Sequence, residues 1–241
     1  ARDGHIFKAS DGYAAYVPVM TGGYKPFFDS DFVGDIANFV LDSIHSLRRK
    51  IDDIEQEKFS IYRDSKRAKG RLREVKDSVV HKSWFMSKER HESLTEALKL
   101  YIEAFEHRHN DEERIREKRI EELEKQQSSI YDNINMMLKR DADFENLKSF
   151  VEYVLRDKFW GAEITQVVIS ESGSGDMLLK LIPRSGDFII DFGEVTNTER
   201  KFKALERFYS SVLSSVGWDA YNYVSVRYDG QLVCHKAPTR E

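Results

Sequence analysis

The sequence predicts an α+β fold: a small mixed or antiparallel sheet with flanking helices, interrupted by a long antiparallel helical hairpin of coiled-coil type. Apolar residues recur at steps of three and four between about residues 29 and 144, which is the helical period. After about residue 145 they fall into short alternating runs, which are typical of strands. The charged fraction of 33% is high for a plain globular domain and fits a long solvated helical segment.

Two segments are expected to form one α+β domain, residues 1–28 and 145–241, with residues 29–144 inserted between them. The stretch "YAAYVPVMTGGY" is rich in aromatic and β-branched residues. Pro18 confines its strand to a sheet edge or a break, and Gly22-Gly23 marks a turn. We therefore expect the N-terminal strand to join the C-terminal sheet.

The insertion is predicted to contain two helices that pack antiparallel and bury their apolar stripes against each other. Asp29, Ser30 and Asp31 are N-cap candidates for the first helix. The second is expected from about Ser93, after a break near "HKSWFMS". The first stripe comprises Val33, Ile36, Val40, Ile44, Leu47, Ile51, Ile54 and Ile61. The second comprises Leu94, Leu98, Tyr101, Ile102, Phe105, Ile115, Ile120, Leu123, Ile130, Ile134 and Met137.

The break itself carries an apolar group, Trp84, Phe85 and Met86, among charged neighbours. Burial in the core between the two helices is the favoured interpretation. A partner-binding patch is the alternative.

The C-terminal zone reads as a regular series of elements. A short helix "ENLKSFVEYVLRDKF" is followed by three strands, "AEITQVVIS", "MLLKLIP" and "RSGDFIIDFG". Thr196 or Asn197 can cap the next helix, and Gly217 suits its C-terminus. The strands "YNYVSVRY" and "QLVCHK" then flank Asp229-Gly230, which is a strong hairpin signal.

Several function classes find little support. The formal net charge of -4 argues against a nucleic-acid-binding protein, and the basic run from Arg63 to Lys76 is best explained as a solvated helix face. A phosphate-binding glycine loop and a nucleophile elbow are not found. Cys234 is the only cysteine, so neither an internal disulfide nor a cysteine metal site can form. No cofactor and no small-molecule substrate are expected.

The best metal candidate lies in "EAFEHRHNDEE", where helical spacing could turn carboxylates and imidazoles toward one cation. The four candidates are Glu103, Glu106, His107 and His109. A facing helix supplies no matching motif, so a polar, charge-rich hairpin tip is favoured over a metal-dependent enzyme. Asp187 and Asp191 are interpreted as strand-end residues rather than an acid/base pair.

Four blocks in order, "DKFWGAEITQVVIS", "LLKLIPRSGDFIIDFG", "ERKFKALERFYSSVL" and "GWDAYNYVSVRYDGQLVC", resemble the periplasmic β domain of the FtsQ/DivIB family, in its Bacteroidota-type form. The opening "GHIFKASDGYAAYVPVMTGG" is similar to the family's entry into that domain. The resemblance covers residues 1–28 and 145–237. It implies that a membrane helix and a POTRA domain precede this chain, which would then be the periplasmic domain of a single-pass inner-membrane protein.

The resemblance implies a non-enzymatic cell-division scaffold. Its partners would be FtsB- and FtsL-like proteins, with a partner strand added to the edge of the C-terminal hairpin. Edge strands offer unpaired N–H and C=O groups for such pairing. The residues onto which the contact maps are Arg227, Tyr228, Gly230, Gln231, Leu232, Val233, Cys234, His235 and Lys236.

Two details qualify this site. Arg227-Tyr228 fits the family's hydrophobic-Arg-Tyr-x-x-Gly pattern, with Gly230 one position early. Period-two alternation directs Leu232, Cys234 and Lys236 to one face of the last strand and Gln231, Val233 and His235 to the other. The alternative function is a coiled-coil interaction or adaptor module in which the helical arm is the binding element.

Overall fold

The computed structural model describes residues 4–8 and 17–238. The chain forms two compact units. One comprises residues 1–40 with 137–241, and the other, called the helical arm below, comprises residues 41–136. Among the described residues, no helix combines the length and apolar character needed to cross a bilayer.

Two long helices dominate the chain, α1 (Ile36–Lys76) and α2 (Lys88–Arg156). The α1 N-cap is Asp35, whose Oδ1 accepts the N–H of Asn38 at 2.8 Å, so the predicted caps at Asp29, Ser30 and Asp31 are wrong. The predicted break is confirmed as the tip loop, residues 77–87. Helix α2 begins five residues earlier than expected because Ser87 Oγ accepts the N–H of Arg90 at 3.3 Å and caps it.

Helix α2 continues without interruption past residue 144 to Arg156. The separate helix expected from residue 145 is therefore wrong in its start. The chain breaks instead at Asp157, whose Oδ1 accepts the N–H groups of Phe159 and Trp160 at 2.8 and 3.1 Å. This cap begins the short helix α3 (Lys158–Glu163).

In the helical arm the two helices run antiparallel, because contacts pair early positions of one with late positions of the other. Lys58 Nζ lies 3.3 Å from Glu124 Oε1, and Lys76 Nζ lies 2.6 Å from Glu106 Oε1. The α1 seam comprises Ile44, Leu47, Ile51, Ile54, Lys58, Ile61, Ser65 and Ala68. The α2 seam comprises Leu98, Ile102, Phe105, His109, Glu113, Arg116, Ile120, Leu123, Gln127, Ile130 and Ile134.

Four residues assigned to the apolar stripes are exposed instead: Val33, Leu94, Tyr101 and Ile115. Val33 precedes α1. The other three lie off the α2 seam because that seam passes through polar positions. His109, Glu113 and Arg116 face inward where an apolar count skips them, so the apolar pattern alone selects the wrong neighbours.

Glu113 is the centre of this polar layer. Ser65 Oγ donates to its Oε2 at 2.8 Å, Arg116 Nη1 donates to its Oε1 at 2.8 Å, and Lys69 Nζ lies 3.7 Å from Oε2. Burial alone would raise the pKa of Glu113, but these bonds and cations outweigh it and hold the pKa below the usual 4.5. The carboxylate therefore favours the paired helices when it is ionised.

We expect Glu113→Gln to lower the thermal stability of the arm by about 1 kcal/mol at neutral pH, because a charge-assisted bond is lost. A depressed carboxyl pKa stabilises the fold above the unfolded value, and that stability disappears as pH falls through the folded value. The difference between the native chain and the variant should therefore close below about pH 4.5. Melting followed by circular dichroism at several pH values measures this, and a difference independent of pH would contradict it.

The other unit is built on a six-stranded sheet. Its strands are β2 (Val19–Gly22), β4 (Ile164–Glu171), β5 (Met177–Pro183), β6 (Ile189–Gly193), β7 (Tyr221–Ser225) and β8 (Val233–Lys236), in the spatial order 2-4-5-6-7-8. β2 pairs parallel with β4 and β6 parallel with β7, whereas the other pairs are antiparallel. A two-residue pair, β1 (His5–Ile6) with β3 (Gly34–Asp35), lies apart from this sheet.

The predicted entry of the N-terminal strand into the sheet is confirmed, and β2 occupies one edge directly after Pro18. The rest of "YAAY", residues 13–16, lies outside the described residues. The three strands predicted before residue 194 are also confirmed, as β4, β5 and β6.

The connection from β6 to β7 is helical. Helix α4 (Thr198–Arg207) passes into a π-helical segment (Phe208–Leu213) and a last turn, α5 (Ser214–Val216), which ends at Gly217 with φ +95°. Asn197 occupies the predicted N-cap position, but its side chain makes no capping bond. These elements and the end of α2 cover one face of the sheet with an aromatic core that includes Phe150, Trp160, Phe192, Phe202 and Phe208.

Candidate functional site

The predicted C-terminal hairpin is present as β7 and β8, which pair antiparallel with Tyr223 opposite His235. Its turn differs from the prediction, because the strands stop short of Asp229-Gly230 and a loop, residues 226–232, joins them. Val226 does not pair with β8, because its N–H donates to the Asp191 C=O on β6 at 3.0 Å. Asp229-Gly230 then forms a local turn, with Gly230 at φ +70° and the Gln231 N–H donating to the Tyr228 C=O at 3.2 Å.

β8 is the edge strand opposite β2, and no strand within residues 4–8 and 17–238 pairs with its outer side. The Ala237 N–H donates to the Ala220 C=O at 3.0 Å, so it points toward β7. Backbone groups alternate in direction along an antiparallel strand. The register shift between Tyr221 and Tyr223 places its extra residue in β7 and leaves the alternation of β8 intact. Val233 and His235 therefore also face β7, and the N–H and C=O groups of Cys234 and Lys236 face outward.

The β8 side chains alternate as the sequence predicts at most positions. Leu232 and Cys234 pack against the hydrophobic core, whereas Gln231, Val233, His235 and Lys236 are exposed. Burial raises the pKa of the Cys234 thiol, so the reactive thiolate is disfavoured. The outer edge of β8 therefore offers backbone groups for pairing and one row of exposed side chains, and its thiol is unreactive.

Polar contacts on the open face of the sheet brace this edge. Asp191 is buried within β6 and is not the strand-end residue expected from sequence. Its Oδ2 accepts the Tyr223 hydroxyl at 2.7 Å and the Ser225 hydroxyl at 3.3 Å. Burial and the Asp191 bond raise the pKa of Tyr223. The Tyr223 ring stacks on His235 with centroids 4.9 Å apart, so three adjacent strands are linked up to the edge.

A cationic groove of about 500 Å³ lies beside this edge, between α4 and residues 226–232. Arg200 and Lys203 are paired within it: Arg200 Nη1 lies 3.1 Å from Asp229, and Lys203 Nζ lies 2.6 Å from Glu199. Arg207 and Arg227 also line the groove. In the part of the chain that the structure describes, no carboxylate lies within ion-pair distance of either guanidinium, so both are available to an acidic ligand group.

Two features hold the groove in shape. Lys201 Nζ is buried and donates to the C=O groups of Phe192 at 3.0 Å and Glu194 at 2.7 Å. Burial lowers the pKa of Lys201 despite the opposing charges of Glu194 and Asp191. Gly193 has φ +70°, and a Cβ there would lie 2.6 Å from Arg227 Cγ, so only glycine allows Arg227 to cross the end of β6.

Sequence reasoning missed the groove. Lys201, Arg207 and Gly193 carry no motif, and a lysine on an amphipathic helix is ordinarily assigned to solvent. Of the predicted contact residues, Arg227, Tyr228, Gly230 and Gln231 lie in the loop, and the others follow through β8. The structure thus places the predicted residues along one continuous border of the sheet.

The metal candidates in the arm have other contacts. His107 Nδ1 lies 3.1 Å from Asp111 Oδ2, Glu106 pairs with Lys76, and His109 is buried in the seam, whereas Glu103 is exposed. Among the described residues, no group of three or more His, Cys, Asp or Glu side chains is arranged to hold a metal ion.

Residues 124–235 match the family model described as FtsQ/DivIB, C-terminal related. The match includes the end of α2, the sheet from β4 onward, the cationic groove and most of β8. No curated protein and no solved structure matches the chain.

The FtsQ/DivIB family comprises non-catalytic division proteins that act through protein interactions in the periplasm. The four sequence blocks lie within the matched range, whereas residues 1–28 lie outside it. The match associates the chain with cell division. Over residues 124–235 the chain is therefore similar to the C-terminal related region of FtsQ/DivIB proteins.

Proposed function

We propose that this chain is a non-enzymatic cell-division scaffold that binds FtsB- and FtsL-like partners by strand addition at β8. The observation that carries the proposal is the outer edge of β8, where Cys234 and Lys236 direct backbone groups outward beside a cationic groove and no other strand of the described residues pairs with them. Added strands gain affinity from main-chain bonds and selectivity from side chains.

The charge pattern supports an extended partner segment that carries a carboxylate. Such a segment can pair with β8 and direct an acidic side chain to Arg227 or Arg207 at the groove. Bidentate Arg–carboxylate bonds are stronger than neutral ones and set the register of the added strand. We also propose that the chain is the periplasmic domain of a single-pass inner-membrane protein.

Titration calorimetry with the periplasmic segment of an FtsB-like protein from the same organism tests this function. We expect saturable one-to-one binding that is lost when residues 231–241 are deleted, while circular dichroism still shows the helices and the remaining strands. Equal binding by the truncated chain would contradict strand addition at β8.

The helical arm is the alternative binding element. Its outer surface exposes large apolar side chains, among them Phe59, Tyr62 and Ile115, which a partner helix could cover. Deleting residues 41–136 and closing the gap with a short Gly/Ser linker separates the two ideas. Retained partner binding favours β8, and complete loss in a folded variant favours the arm.

A further inference from the structure

The tip loop of the helical arm exposes two adjacent aromatic side chains. Trp84 is 93% exposed and Phe85 is 92% exposed, the highest values among the exposed large hydrophobic residues of the described chain. The prediction that they form core between the helices is wrong. Scattered exposed apolar residues are ordinary, but two neighbouring rings at the end of a hairpin form one apolar crest.

Backbone bonds hold the crest in place. The Met86 N–H donates to the Ser83 C=O at 3.0 Å, which makes Trp84 and Phe85 the two central residues of a β-turn. The loop is tied to α2 by the His91 ring, which lies 3.2 Å from the Val80 C=O, and by the Ser87 cap. The rings are therefore presented outward by an ordered turn.

The tip itself has a small excess of positive charge. Residues 77–91 contain Lys82, Lys88 and Arg90 against Asp77 and Glu89. Lys82 and Arg90 flank the crest, and among the described residues neither has a carboxylate within ion-pair distance. Lys88 Nζ forms an ion pair with Glu92 Oε1 at 3.8 Å. Lys82 and Arg90 are thus two cations close to the exposed rings in sequence that have no carboxylate partner in the described chain.

We propose that the tip loop binds the surface of a phospholipid bilayer with anionic headgroups. Trp84 and Phe85 enter the boundary between headgroups and acyl chains, where aromatic rings are favoured, and Lys82 and Arg90 face the lipid phosphates. Apolar insertion and attraction to anionic lipid are additive in interfacial binding. This binding is independent of partner binding at β8.

The small size of the crest favours a membrane over a protein partner. Two aromatic rings offer about 150–250 Å² each, whereas a stable protein interface needs about 800 Å² on each side. A convex turn lacks that area. Insertion into a lipid surface requires only the rings and the adjacent charge.

Vesicle co-sedimentation of the whole chain tests the proposal. We expect binding to phosphatidylcholine vesicles that contain phosphatidylglycerol, and weaker binding to phosphatidylcholine alone. Trp84→Ala with Phe85→Ala should lower partitioning at least about tenfold. Lys82→Gln should lower it about fivefold on the anionic vesicles only. The matched control is Phe59→Ala with Tyr62→Ala, which removes two exposed aromatics of the same arm outside the tip and should change nothing.

Fluorescence identifies the inserted residue. Lipids with brominated acyl chains should quench Trp84 in the native chain, and Trp84→Phe should retain binding but lose that quenching. The proposal is overturned if the native chain does not bind anionic vesicles, or if the tip variant and the Phe59/Tyr62 control bind equally. It is also overturned if the tip variant changes only self-association or protein binding.

Discussion

Lys236→Pro is expected to reduce partner binding at least about tenfold while the fold persists. Proline removes the outward N–H of β8, and its ring obstructs a strand that approaches from that side. A lost backbone bond contributes about 1 kcal/mol, and loss of the adjacent ladder contacts adds to it. Because the Lys236 N–H does not pair with β7, the native sheet should keep its melting temperature. Calorimetry and thermal melting measure the two effects.

Two variants make this result specific. Lys236→Ala removes the same side chain but keeps the N–H, so its affinity should stay near that of the native chain. His235→Pro removes an N–H that faces β7 and should lower stability. If Lys236→Pro binds as tightly as Lys236→Ala, the partner does not extend the sheet at β8.

Replacing Arg207 and Arg227 together with alanine is expected to weaken partner binding about tenfold or more. Both guanidinium groups line the cationic groove without an internal ion-pair partner in the described chain, and a bond to a charged group contributes about 1.5–3 kcal/mol. The association rate should fall, and its dependence on ionic strength should become shallower, because these charges steer the acidic segment. Stopped-flow binding at several salt concentrations measures both.

Lys203→Ala is the matched control. Lys203 lines the same groove but is paired with Glu199 at 2.6 Å, so its removal should change affinity little. If the Lys203 variant weakens binding as much as the double arginine variant, the overall positive charge of the groove accounts for the effect. Specific bonds from Arg207 and Arg227 to the partner then do not.

The sequence predicts the elements of this protein better than their arrangement. Alternating apolar runs identify β4, β5 and β6, because each buries one face on the core. The helical period identifies α1 and α2. The polar seam of the arm is missed because Glu113 is satisfied by Ser65 and Arg116 on the folded hairpin, which no local pattern reveals.

For the candidate site, too, the sequence predicts the segment but not its neighbours in space. The family resemblance predicts a binding segment at residues 227–236, but neighbours in a sheet depend on topology, which sequence does not display. The cationic groove combines residues from α4 with residues 226–232. The direction of the Lys236 N–H follows from the Ala237–Ala220 bond, and a strand displaced by one residue would present the opposite groups.

Amide hydrogen exchange of the whole chain, measured by NMR with and without the FtsB-like segment, tests strand addition most directly. The amides of Val233 and His235 pair with β7, so we expect them to exchange slowly in both states. The amides of Cys234 and Lys236 should exchange fast in the free chain and slow in the complex. Protection elsewhere, with Cys234 and Lys236 unchanged, would contradict the account.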